Sequence, residues 1–228
     1  MENAISLRII KNSYLFIGGN QMVFIKEKLN NESLVKRILC LICISLILFV
    51  GVTILSYYIL PEGILKGKTS GSVWDNSNNT IILAVQIYVW NSLSVIVVIL
   101  ASLFGKKRES ENNYLSLGYS VFVLLIIMNA VILGTWSFSV EAEAIPLMDR
   151  ITGMFDIVHR AGILEMMGQL FITCSLARIG IVLTNGKNTY TKKIKEVYFN
   201  KQEIAAFVIG IILMMIAAII ESGAINNL

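Results

Sequence analysis

The chain has 228 residues, 56% of them hydrophobic and 15% charged, and a mean hydropathy of +0.73, whereas a soluble domain is about 45 to 50% apolar and about 25% charged. The apolar excess is gathered into runs long enough to cross a bilayer, which sets aside soluble enzymes, nucleic-acid binders and disordered linkers. The net charge of +4 is of the kind that Lys- and Arg-rich cytoplasmic flanks of membrane helices supply.

Residues 1–35 alternate Ile5, Ile9, Leu15 and Phe16 with Arg8, Lys11 and Asn12, pause at Gly18-Gly19, and continue with Met22, Phe24 and Ile25 beside Lys26 and Lys28. This reads as a cytoplasmic amphipathic segment at the membrane surface, broken at the glycines, or as an ordinary cytoplasmic packing helix. A signal peptide would have a shorter apolar core and a small-residue cleavage site near the start, whereas the first apolar run begins only after 37 residues.

The first span is expected over 38–60, ending at Pro61. Gly63, Gly67, Gly71 and the cluster Asp75 to Asn79 then give a solvated connection. The second span, 80–104, carries Gln86, Asn91, Ser92 and Ser94, and the third, 114–136, carries Asn129. The fourth, 157–183, opens on the most polar membrane sequence in the chain, His159-Arg160-Ala161-Gly162-Ile163-Leu164-Glu165. A basic loop follows with Lys187, Lys192, Lys193, Lys195 and Lys201, and the fifth span, 204–220, is almost wholly aliphatic. The expectation is an all-α fold, a polytopic membrane helical bundle of about five transmembrane helices filling 36–228.

Orientation follows from Lys and Arg counts. The segment before the first span has six and the second and fourth connections have three and five, against two and one for the first and third. That places the N-terminus in the cytoplasm and the C-terminus outside, in a multi-pass cell-membrane protein. Cys40, Cys43 and Cys174 all lie within apolar runs, where their role is packing.

Polar groups inside a bilayer are costly and are turned inward toward partners. At 100° per residue, His159, Gly162, Glu165, Gln169, Thr173 and Gly180 fall in one band roughly 120° wide. One reading of this stripe is interhelical glue, with Glu165 and Gln169 reaching Asn91 or Asn129 and the small residues Ala130, Gly134, Gly162 and Gly180 admitting neighbouring helices. The other makes Glu165, with His159 nearby, a substrate or proton site. A single His and no Walker loop leave no metal centre, no cofactor and no ATP site expected. An intramembrane enzyme ranks third.

The polar positions in order also resemble the stage II sporulation protein M family. The resemblance rests on Asn91 opening an apolar run, on Asn129-Ala130-Val131-Ile132-Leu133-Gly134, and on His159 to Glu165 with Gly180 beyond, so that it covers roughly 86–183. Ala130 stands where that family has glycine, Val158 where it has proline, and Arg160-Ala161 separate His159 from Gly162. The resemblance implies a polytopic protein without enzymatic activity that works with partners, either cell-envelope proteins or a separate ABC-type ATPase subunit exporting peptides. A non-catalytic membrane subunit, scaffold or permease-like, in the lipid bilayer is therefore expected, as a homo-oligomer or beside an ATPase and with a peptide as possible substrate. No nucleic acid is expected. The alternative is a proton-coupled secondary transporter using Glu165.

Overall fold

The structure is a computed structural model that describes residues 24–66, 79–107, 113–138, 143–156 and 161–226. A short helical stretch over 24–29 precedes α1 (Leu34–Ile59). There follow α2 (Thr80–Ser102), β1 (Phe104–Lys107), β2 (Leu115–Ser116), α3 (Leu117–Gly134), α4 (Leu147–Gly153) and α5 (Gly162–Ser175). The chain closes with β3 (Val182–Asn185), β4 (Asn188–Thr191), a 3-10 turn over Ile194–Glu196, and α6 (Lys201–Asn226).

Four of these helices, α1, α2, α3 and α6, are long and apolar enough to cross a membrane, and the chain is a multi-pass membrane protein. Their ends follow local chemistry. Asn79 Oδ1 accepts from the backbone N–H of Ile81 and Ile82 at 3.0 and 3.3 Å, satisfying donors that the first turn of α2 cannot. Ser116 Oγ accepts from Gly118 N at 3.2 Å ahead of α3. Asn200 and Glu203 make a capping box at α6, where Glu203 Oε2 receives the Asn200 N–H at 3.0 Å. Hydroxyls inside the helices are satisfied by their own preceding turn, as in Ser45 to Leu41 O and Ser56 to Val52 O, both 2.7 Å.

Two expectations are corrected. The fold is not all-α, because β2-β1-β3-β4 form a four-stranded sheet. Among the described residues the membrane-length helices number four rather than the five expected, because the fourth expected span does not continue as one helix to Leu183: its described helical part, α5, has 14 residues. At 1.5 Å per residue it is roughly 21 Å long, short of a hydrocarbon core of about 30 Å. Its continuation leaves the helix at Leu176, and the N–H groups of Ile181 and Val182 both donate to Leu103 O at 2.7 and 2.9 Å. The chain thereby enters β3, which pairs parallel with β1 from Phe104↔Val182 to Lys107↔Asn185. The loop expected beyond becomes a hairpin, β3 pairing antiparallel with β4 around Gly186, whose φ of 57° is left-handed.

The helices run between two ends. At one, Arg37 of α1 meets Glu203 of α6, and Tyr119 of α3 donates to Leu29 O. The sheet lies at this end, since β1 follows α2, β2 precedes α3 and β3 follows α5. At the far end Gly63 N donates to Thr135 O, and Asn226 Nδ2 to Thr80 Oγ1. α5 is the central helix, packed most closely on α6 and touching α1, α2 and α3 as well. Phe122, Leu41, Ile126 and Cys174 fill the core on its α1/α3 side, and Val95, Ile172 and Met214 fill it on the α2/α6 side.

Candidate functional site

α5 carries most of the sequence-predicted polar stripe. Glu165 stands in its first turn, and Gln169, one turn on and 3% exposed, donates from Nε2 to Glu165 Oε1 at 2.9 Å. Thr173 in turn donates to Gln169 O at 2.7 Å. The three are joined along a single helix, as i, i+4 spacing permits. Asn91 and Asn129 are both partly buried, and among the described residues neither hydrogen-bonds to Glu165 or Gln169. The second Gln169 atom, Oε1, is buried and has no partner among the described residues. Glu165 is also within electrostatic reach of Glu221 on α6, so two carboxyl groups face the same stretch of the bundle. His159 lies outside the described residues.

The four small residues singled out for packing have different surroundings. Ala130 is fully buried, and its carbonyl accepts from Thr53 Oγ1 at 3.4 Å. A Cβ at Gly134 would stand 2.6 Å from Thr53 O and 2.7 Å from Ser56 Cβ, so α1 and α3 touch through backbone there. A Cβ at Gly162 would have nothing within 4 Å, whereas one at Gly180, past the end of α5, would stand 3.0 Å from Leu183 Cδ2, so Gly180 helps to seat the sheet. A second close helix crossing is one that sequence reasoning missed. Gly168 of α5 and Gly210 of α6 each place the other's carbonyl oxygen 2.7 Å from where a Cβ would be. Gly168 stands beside Gln169, and Gly210 in an aliphatic run, with no spacing motif at either, so only their juxtaposition reveals the pair.

Two buried arginines were also missed. Arg37, fully buried, gives Nη2 to Glu203 Oε1 at 2.6 Å, and Glu203 is 4% exposed. Its Nε and Nη1 have no hydrogen-bond partner among the described residues. At the far end Arg150, 3% exposed, donates from Nε to Ile145 O and from Nη1 to Gly134 O, both at 2.7 Å. Its guanidinium also lies 4.9 Å from the Tyr57 ring and 5.0 Å from the Trp136 ring, within cation–π range. The Lys and Arg counts that gave the orientation include both side chains but carry no hint that either is buried.

Among the described residues no three His, Cys, Asp or Glu side chains gather as a metal site. No protein-family model, curated protein or solved structure matches the chain.

Proposed function

We propose that this chain is a non-catalytic integral membrane subunit, a scaffold or permease-like component that assembles with partner proteins in a cell-envelope or ABC-type export complex. It sits with the sheet end and N-terminus in the cytoplasm and the C-terminus outside. The observation that carries the reading is how the polar stripe is used: Glu165, Gln169 and Thr173 bond along α5, and α5 is enclosed by the other helices. Gln169 Oε1 excepted, their side-chain bonds are made within the short helix itself rather than to a neighbour. The orientation is supported by Lys106, Lys107, Lys187, Lys192, Lys193 and Lys195 all belonging to the sheet or its flanks. The resemblance to stage II sporulation protein M points the same way.

A second reading, proton-coupled transport through Glu165, is favoured by the Glu165–Glu221 pair and the unpartnered Gln169 oxygen. One experiment separates the two. Tagged full-length protein is purified from its native membrane with its bound partners, and export or growth is followed in the same strains. For a subunit, Glu165→Gln keeps the bond to Gln169 and leaves both assembly and activity unchanged, while Glu165→Leu strands Gln169 at a cost of about 1 to 3 kcal/mol. Intact assembly with lost activity in Glu165→Gln would establish the transporter instead, because Gln cannot release a proton.

A further inference from the structure

The sheet is wider than the end of the bundle on which it packs. Its second row runs Ser116, Gly105, Leu183, Tyr190 across β2, β1, β3 and β4. Alternation along each strand puts these four on the same face. Ser116 is 3% exposed, Gly105 is buried and Leu183 is 8% exposed against Gly180, but Tyr190 is 53% exposed. The face that rests on the bundle therefore continues past it at β4, where Tyr190 hangs over whatever surrounds the helices.

Around that overhang the charge is one-sided. Lys187 forms the hairpin turn, Lys192 and Lys193 follow β4 directly, and Lys195 lies in the next turn, all exposed, with Glu196 the one acid between residues 187 and 202. Tyr198, 83% exposed, and Phe199 then lead into α6 at Lys201. The apolar part of α6 begins only a few residues later, so these aromatic rings stand at the level of a membrane–water boundary, where Tyr is favoured because one end is apolar and the other wet.

We propose that the overhanging side of β4 is seated on the headgroup layer and binds anionic phospholipids, with Lys187, Lys192, Lys193 and Lys195 receiving the phosphates and Tyr190 and Tyr198 inserted among the glycerol groups. Lys187 stands in the turn of a hairpin held in register by β1, and Lys192 and Lys193 follow its second strand directly, so the basic residues issue from ordered structure. The surface needs only that α6 lie in a bilayer, and it stands whether or not the chain is a subunit of a larger complex.

Full-length protein in nanodiscs of phosphatidylcholine alone, or with about one third phosphatidylglycerol, tests this. Backbone hydrogen exchange in β4 and acetylation of Lys192 and Lys193 by a water-soluble reagent are both expected to slow at least about threefold in the anionic discs. About 0.5 M KCl should restore the faster rates by screening. Replacing Lys187, Lys192, Lys193 and Lys195 together with Gln should remove the difference between the discs. Inorganic phosphate added to neutral discs should give no protection, since a free anion lacks the layer into which the tyrosines insert. Equal rates in the two discs would overturn the proposal. So would full protection in neutral discs by a polyglutamate peptide, which would mark a surface for an acidic protein.

Discussion

The two buried arginines solve one problem in opposite ways. Arg150 turns every guanidinium nitrogen to use, two on backbone carbonyls and one toward Glu62 at 3.9 Å, with an aromatic ring close by on each of α1 and α3's end. Arg37 has one strong partner, Glu203, and two donors without any among the described residues. The far end is thus held by a cation whose acceptors are mostly main chain, whereas the sheet end is held by a pair of opposite charges that depend on each other. Main-chain acceptors persist whatever the side chains become. A buried carboxylate does not stay harmless when its cation is gone.

The largest expected effect is at Arg37. Arg37→Met should cost about 3 to 5 kcal/mol by leaving Glu203 uncompensated, read from reversible unfolding in mixed micelles. Adding Glu203→Leu should recover most of that loss, less about 1 kcal/mol for the capping bond to Asn200. Losses that simply add would show that the ion pair is not the coupling. At Arg150 no second substitution can rescue, since Gly134 O and Ile145 O remain; Arg150→Met should lose about 2 to 4 kcal/mol. Removing its remaining partner by Glu62→Ala should change stability by less than about 0.5 kcal/mol, because Glu62 is 62% exposed and screened by solvent. Rescue of Arg150→Met by Glu62→Ala would abolish the contrast between the ends.

A smaller effect sharpens the same contrast at Gly134, whose carbonyl serves Arg150 and whose Cα touches α1. Gly134→Leu should cost about 1 to 3 kcal/mol by overpacking against Thr53 and Ser56, while Ile132→Leu on the same helix should be nearly silent. Equal yields of folded, membrane-extracted protein for the two would place that face against lipid. The smallest effect belongs to Arg178, half exposed and 3.9 Å from an almost fully exposed Glu32. Arg178→Ala should leave the unfolding midpoint unchanged.

The helices were legible because their limits are local: Pro61 closes α1, Asn79 opens α2, and the apolar runs between such signals are long. The break after Ser175 was not. Leu176 to Leu183 is apolar apart from Arg178 and Gly180, so hydropathy carries a helix straight through it; what ends the helix is pairing with β1, some 78 residues earlier in register. A local sign did exist one step later, in Thr184-Asn185-Gly186-Lys187-Asn188-Thr189, a turn dipeptide between β-favouring residues. For the stripe, Glu165 and Gln169 were legible as one face of a helix, but they were expected to bond across to Asn91 or Asn129 and bond to each other instead, as their i, i+4 spacing permits. Glu221, Gly210 and Glu203 could not be joined to Glu165, Gly168 and Arg37 by any period, because each pair is brought together by packing between different helices.

During synthesis α5 emerges before the helix that covers it. Fourteen residues that include Glu165 and Gln169 are too few and too polar to settle in hydrocarbon unaided, and the Gly168–Gly210 contact is made only once the middle of α6 has been added. Residues 162–226 are therefore expected to settle in the bilayer together, α5 only when α6 packs on it, with the β3–β4 hairpin in the connection between them.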